Sequence, residues 1–172
     1  GVPFELPQNR FTAPSGKRFD AWAIGDVSGQ MKKTGEQHIF NADTTLYAIW
    51  YDPVTGVTLN KNTATLTVGG SETLTATVAP ENATYKDVTW SSDKPAVAAV
   101  DQSGKVTAVG GGAATITVKT KDGEKTATCA VTVVAPVTGV KLNKAATSMV
   151  VGGAETLYAT VEPGAATNKN VT

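Results

Sequence analysis

Residues 54–89 read VTGVTLNKNTATLTVGGSETLTATVAPENATYKDVT, and residues 137–172 read VTGVKLNKAATSMVVGGAETLYATVEPGAATNKNVT. The offset is 83, and 22 of the 36 ungapped positions are identical. Chance does not give that agreement, so the chain contains a tandem repeat. The period is longer than the roughly 20–50 residues of solenoid units and suits a small sandwich, which implies modules strung in series. The first copy continues into Trp90-Ser91-Ser92 where the second reaches Thr172. The expected organisation is therefore one whole repeat, about 54–136, and the opening third or so of another.

Within the whole copy, apolar and polar residues alternate with period 2 between turn signals, the mark of half-buried strands. Leu66 and Val68 precede Gly69-Gly70. Leu74, Ala76 and Val78 alternate with Thr73, Thr75 and Thr77 and stop at Pro80. Val88 and Trp90 share a face, and Val97 and Val100 lead to a turn at Gln102-Ser103-Gly104. Val106 and Ala108 run into Gly110-Gly111-Gly112, while Ile116 and Val118 alternate with Thr115, Thr117 and Lys119. Asp122-Gly123 is a hairpin signal, after which Cys129, Val131 and Val133 line one face of a last strand. Seven or eight short strands with no helical period predict an all-β sandwich, with Trp90 as its aromatic core anchor.

These elements resemble the bacterial Ig-like domain, group 2. The matching stretches are Val57-Thr58-Leu59-Asn60, Leu66-Thr67-Val68-Gly69, Leu74 through Pro80, Val88-Thr89-Trp90-Ser91-Ser92, Gly104 through Ala108, and Ala114 through Val118. They cover 54–134 and, in their first part, 137–172. The resemblance implies an Ig-like β-sandwich, usually in tandem on secreted or surface-anchored bacterial proteins.

The first 51 residues are built differently. Eight of the eleven aromatics lie there: Phe4, Phe11, Phe19, Trp22, Phe40, Tyr47, Trp50 and Tyr51. One shared core would not segregate its large side chains so sharply. Strand candidates are Arg18–Ile24 and Leu46–Trp50, separated by Gly25, Gly29 and Gly35. The stretch from Phe11-Thr12-Ala13-Pro14-Ser15-Gly16 through Trp22, with the ending Ala42-Asp43-Thr44-Thr45-Leu46-Tyr47-Ala48-Ile49-Trp50, resembles the Listeria–Bacteroides repeat of internalin-type surface proteins. That resemblance covers about 4–51 and implies a small β-grasp-like fold. The family's opening strand is missing before Gly1, and Asp20 stands near where a small residue is common. The expected division is 1–52 for this shortened module, 53–136 for a complete Ig-like domain and 137–172 for an incomplete one. Asp52-Pro53-Val54 and Ala135-Pro136-Val137 are the linkers, stiffened by proline's fixed φ and by its restriction of the preceding residue.

Composition narrows the function classes. Fifteen Lys+Arg balance fifteen Asp+Glu, for a formal net charge of +0, which removes the electrostatic argument for nucleic acid or an anionic membrane surface. No apolar run approaches the ~20 residues of a spanning helix, so no membrane insertion is expected of these residues. The chain begins at Gly1 without an initiator Met and so reads as a piece of something longer. Threonine is the commonest residue, at 27, and suits a soluble pleated surface.

Chemistry-bearing residues are sparse. His38 has no second His or nearby Cys, so a surface or strand histidine is the reading, and no Ser-His-Asp set can be assembled around it. Cys129 alternates with Val131 and Val133 and reads as a small buried hydrophobe. Gly69-Gly70 and Gly110-Gly111-Gly112 precede Thr-rich strands, without the Gly-Lys-Ser/Thr of a phosphate loop, and read as turns. Asp93, Asp101 and Asp122 lack the spacing of a calcium loop. Asn82-Ala83-Thr84 and Asn170-Val171-Thr172 match the glycosylation triplet, a frequent pattern in Thr-rich chains. No enzyme, cofactor or metal is expected.

Trp22, Trp50, Tyr47 and Tyr51 read first as the core of a small module. Tyr47 and Tyr51 are the candidates for ligand binding by sugar stacking. The expected role is an extracellular or cell-surface spacer or adhesion-type set of modules in a bacterial multidomain protein. The alternative is a carbohydrate- or host-protein-binding accessory module of an adhesin or a secreted polysaccharide-active enzyme. The partners considered are a cell-wall or host glycan or protein, and a second copy of the chain swapped through the incomplete ends. Residues 137–172 are expected to be disordered, or paired or swapped with another chain, and proteolysis that leaves them intact in a strictly monomeric sample refutes this.

Overall fold

A computed structural model describes residues 2–171; Gly1 and Thr172, the latter closing the second glycosylation triplet, lie outside the described residues. Among the described residues every regular element is a β-strand, and no helix is long and apolar enough to cross a membrane. The chain divides into two compact units. One holds 2–56 with the loops 78–87 and 120–125; the other holds 57–77, 88–119 and 126–171.

In the first unit, β1 (Phe4–Glu5) pairs with β4 (Gln37–His38). A three-stranded sheet runs in the order β3 (Gln30–Lys32), β2 (Arg18–Ile24), β5 (Leu46–Tyr51), antiparallel throughout. A register shift between Phe19 and Ala21 leaves Asp20 as a bulge, so the strand on its two sides presents different faces. Ala21, Trp22 and Ala23 are all buried, which shows that both faces of β2 are covered. Trp22 is the hub: Phe11 and Phe19 pack on it with ring centroids at 6.1 and 5.2 Å, and Phe19 in turn meets Trp50 edge-on at 5.9 Å. Its indole N–H donates to the Pro7 carbonyl at 2.8 Å, so the one polar atom of the ring is satisfied inside. The aromatic-rich segment thus fills a small interior with rings.

The second unit carries the sandwich. One sheet has the order β10 (Val88–Ser92), β13 (Gly112–Thr120), β14 (Thr126–Val134), β7 (Thr63–Thr67), and the other β11 (Ala98–Val100), β12 (Lys105–Ala108), β8 (Ser71–Thr73). A further pair joins β6 (Gly56–Leu59) to β9 (Ala76–Ala79). The long hairpin β13–β14 sets Ile116 opposite Cys129 and Ala114 opposite Val131, with Val118, Ile116, Cys129, Val131 and Val133 all at or near zero exposure. Along β14 Cys129, Val131 and Val133 are buried, while Thr126, Thr128, Ala130 and Thr132 face outward. Last strand and early strand pair parallel, β14 with β7, placing Val133 beside Leu66. With the two layers closing over this core, the chain is all-β and contains an Ig-like β-sandwich.

The alternating run Thr73–Val78 predicts one strand, and the structure makes two. Leu74 donates its N–H to the Gly104 carbonyl at 2.9 Å, whereas Thr75 donates to the Asn60 side chain at 2.9 Å. The backbone changes partners between these residues, so β8 serves one sheet and β9 another. Trp90 is the predicted anchor and is 7% exposed. Its strand is held by Gln102, which accepts from the Trp90 amide at 3.2 Å and donates to the Trp90 carbonyl at 3.1 Å. Gly104 lies at φ +83°, and a Cβ there would stand 2.9 Å from the Trp90 ring and 2.4 Å from the Leu74 carbonyl oxygen. The predicted turn therefore needs its glycine twice over, for conformation and for space.

The second copy repeats part of the first. β15 (Gly139–Leu142) pairs with β16 (Ala159–Glu162) as β6 does with β9. Asn143 accepts from the Tyr158 amide as Asn60 accepts from Thr75, both at 2.9 Å. The Lys144–Glu155 ion pair repeats Lys61–Glu72, and the Ala79–Pro80 and Glu162–Pro163 peptides are both cis. Strand content and burial differ: the counterparts of β7 and β8, at 146–150 and 154–156, form no strand. Leu74 is 1% exposed and its counterpart Leu157 43%; Val57 is 8% exposed and Val140 54%.

Candidate functional site

The arrangement that recurs is a backbone clasp on each Pro-Val-Thr-Gly linker. In the first unit, Pro80 opens a turn closed by a bond from the Ala83 amide to the Pro80 carbonyl at 2.9 Å, with the Ala83 methyl buried. The turn delivers Thr84 to the strand end at Asp52. Thr84 donates its N–H to the Asp52 carbonyl at 2.9 Å, and its hydroxyl oxygen accepts from the Asp52 amide at 3.0 Å. Next along the linker, the Val54 amide donates to the Asp122 carboxylate at 2.8 Å and the Thr55 amide to the Ala79 carbonyl at 2.8 Å. Pro53 has no N–H to place. Every backbone donor from 52 to 55 is thus bonded, which is how a strand is held and a flexible tether is not.

At the second linker, inside the other unit, all of these bonds except that from Val54 to Asp122 return 83 residues later. Thr167 donates to the Ala135 carbonyl at 2.9 Å and accepts from the Ala135 amide at 2.8 Å; Thr138 donates to the Glu162 carbonyl at 2.8 Å. The Ala166–Pro163 turn bond is 2.7 Å, and Ala166 is buried like Ala83. Position 52 is Asp and position 135 is Ala, yet the clasp is unchanged, because it reads only main-chain atoms.

Around the first clasp, side chains add a second layer. Tyr85, the residue after Thr84, packs against Tyr51 with centroids at 5.4 Å and ring planes tilted by 54°, and donates its hydroxyl to Asp20 at 2.5 Å. Lys33 holds the other oxygen of Asp20 and also donates to its carbonyl at 3.0 Å. The Tyr51 hydroxyl reaches Asp122 at 3.5 Å. The acidic residue at position 20, the bulge of β2, is where Tyr85 lands. Partial burial works against ionisation of Asp20, but hydrogen bonds from Lys33 and Tyr85 outweigh it and hold the carboxyl below its ordinary value. The same bond to Asp20, with partial burial and the carboxylate's charge, raises the Tyr85 phenol.

The signs set a pH window. A carboxyl depressed by folding stabilises above its unfolded pKa, near 3.9, and loses that contribution as pH falls through the folded value. A phenol raised by folding stabilises below its unfolded pKa, near 10, and loses it as pH rises. The Tyr85–Asp20 contact is therefore expected intact between about pH 4 and 10. Carboxyl-carbon NMR titration should give Asp20 a midpoint below that of an ordinary aspartate, and Tyr85→Phe should move it upward; an unmoved midpoint contradicts this account.

The residues singled out in the sequence fall as follows. Tyr47 is 39% exposed on the edge strand β5, whereas Tyr51, four residues along the same strand, is half-buried against Tyr85 and Asp122. His38 lies edge-on to Phe40 at 4.7 Å. Cys129 is fully buried, and burial, with a smaller effect of the Glu72 charge, pushes its thiol up and away from nucleophile chemistry. Asp93 accepts from the Thr115 amide at 2.6 Å, and Asp101 accepts from the Ser103 and Lys105 amides at 2.8 and 3.0 Å. With Asp122 on Val54, these three carboxylates each accept main-chain amides in separate places, and among the described residues no group of three or more His, Cys, Asp or Glu is placed to hold a metal ion. Thr84 and Thr167 escaped sequence reasoning because single threonines do not stand out among 27. Their signal was present, as one of the 22 identities in register after Pro and buried Ala.

Gly111 belongs to the second clasp. A Cβ there would stand 2.8 Å from the Ala165 carbonyl oxygen and 3.0 Å from the Ala135 methyl. An apolar cleft of about 380 Å³ opens beside it, lined by Val68, Val109, Pro136 and Pro163 among others. The glycine run between β12 and β13 thus lies against Ala135 and Ala165 of the second clasp.

Comparison with known proteins agrees with this geometry. An uncharacterized protein of Clostridium acetobutylicum is 43% identical over 119 residues, 69% of this chain and 12% of that protein. The Ig-like virion protein of Serratia phage KSP90 is 53% identical over 81 residues, 46% of this chain and 31% of its own length. An alpha-L-arabinofuranosidase of Bifidobacterium longum is 49% identical over 79 residues, 46% of this chain and 7% of the enzyme. The chain therefore spans less than a third of the length of each of these relatives. The model of the bacterial Ig-like domain (group 2) matches residues 53–131, the segment that forms the sandwich.

Proposed function

We propose that the chain is a run of non-catalytic modules from a larger bacterial protein, extracellular or on the cell surface, which space and hold another domain. The division is 1–52, a shortened Listeria–Bacteroides-type repeat; 53–136, an Ig-like domain; and 137–172, the start of a second. The observation that carries the reading is the same main-chain clasp at Asp52–Thr84 and Ala135–Thr167. A clasp that ignores side chains lets modules be added in series, and a fully bonded linker transmits position. The relatives support it: the virion protein and the arabinofuranosidase share the module as a minor part of their length, so it belongs to neither one's particular chemistry.

A second reading, a glycan- or host-protein-binding accessory module, is favoured by the exposed ring of Tyr47. Two measurements separate the readings. Backbone order parameters at 54, 55 and 138 should reach about 0.85, as in strands, and values under about 0.6 remove the spacer reading. Glycan-array binding should be absent; micromolar binding abolished by Tyr47→Ala or Tyr51→Ala establishes the accessory-module reading instead.

A further inference from the structure

We propose that each clasp loop carries, beside the common main-chain latch, a matching element that selects the module on which it docks. This rests on the reading of the chain as modules in series. The latch itself cannot discriminate, since it makes the same two bonds to Asp52 and to Ala135. Discrimination has to come from positions that differ between the loops Ala79–Tyr85 and Glu162–Asn168. Pro, Ala and Thr are shared at the second, fifth and sixth positions; the seventh is Tyr85 in one copy and Asn168 in the other.

Tyr85 fits what precedes it. Its ring lies on Tyr51 and its hydroxyl on Asp20, two residues of the aromatic-rich segment, and Lys33 of that segment orients the carboxylate. A tilted ring–ring contact combined with a charge-assisted hydrogen bond requires an aromatic ring and an acceptor at fixed places. The second loop uses neither. Its Ala165 carbonyl closes directly onto Gly111, where a Cβ would stand 2.8 Å away. That approach demands a glycine in the preceding module and tolerates no side chain. One loop therefore reads an aromatic–acid pair, and the other reads the absence of a side chain. The partner each fits is a class of module end: the Tyr51/Asp20 type for a loop with Tyr, and the Gly-Gly-corner type for a loop with a small residue at the third or fourth position.

Hydrogen exchange at the Thr84 and Thr167 amides of the full chain tests this, because those protons make the latch bonds. In the unmodified chain both should be protected. Tyr85→Asn, which installs the second loop's residue at an exposed position, should speed exchange at Thr84 by about tenfold and leave Thr167 alone. Gly111→Ala should do the reverse. If either variant leaves its own latch unchanged, or moves both equally, matching is overturned while the spacer reading stands. If both amides exchange as free peptide in the unmodified chain, the latches do not hold, and the spacer reading falls with the proposal.

Discussion

Trp90→Ala should cost roughly 3–5 kcal/mol of unfolding free energy, measured by chemical denaturation followed by far-UV circular dichroism. The ring is 7% exposed, and its edge lies against the Gly104 turn. Removing it leaves a large cavity, and the surroundings cannot collapse to fill it. Gln102 ties the Trp90 backbone from both sides, and Leu74 is bonded to the Gly104 carbonyl. Against a total stability of about 5–15 kcal/mol, such a loss puts the sandwich near its limit. Gly104→Ala should also destabilise, and the double variant tells why. Without the indole, the contact at 2.9 Å disappears, but the one at 2.4 Å to the Leu74 oxygen and the φ of +83° remain. The two costs should therefore add to slightly less than their sum. A loss under about 1 kcal/mol for Trp90→Ala would show that the core does not depend on this ring.

How far this architecture could be read beforehand depended on where the information lay. The faces of Ile116–Val118 and Cys129–Val133 follow from alternation, because a period of 2 states locally which residues turn inward. The turn at Gly104 was legible for the same reason. The break at Leu74 was not. Thr-Leu-Thr-Ala-Thr-Val contains no glycine or proline, and the partner change is imposed from a distance by Gly104 and Asn60. The parallel pairing of β14 with β7 is likewise a long-range fact, since nothing in Thr63–Thr67 marks its direction. The clasp sits between these cases. Its residues are ordinary, and only comparison of the two copies lifts Pro80, Ala83 and Thr84 above the background. Tyr85 could have been suspected as one of three aromatics beyond residue 51, but its partners Asp20 and Tyr51 are 65 and 34 positions away in sequence.

Trp22→Ala is expected to have the larger consequence for its surroundings, although the local chemistry is similar. The indole is 4% exposed, contacts Phe11 and Phe19, and donates to Pro7 at 2.8 Å. The truncation again costs roughly 3–5 kcal/mol, with the Pro7 carbonyl left without its donor. A segment of about fifty residues buries too little surface to absorb that loss. Its remaining fully buried side chains are Leu6, Ala21 and Ala23. Amide signals of β2, β3 and β5 should therefore collapse toward unfolded shifts, while those of β13 and β14, which draw on Ile116, Cys129 and Val131, stay in place. Trp22→Phe is the milder variant: it keeps a ring among the aromatics while losing the N–H to Pro7 and part of the indole's volume, so it should retain the sheet at reduced stability. Survival of β2 and β5 in Trp22→Ala would mean that the segment is held by the Asp20–Tyr85 and Asp52–Thr84 contacts more than by its own core. The Thr84 latch supplies the discriminating readout. If the core organises the strand end at Asp52, Thr84 loses protection together with β2; if the latch organises the core, Thr84 stays protected when Trp22 is gone.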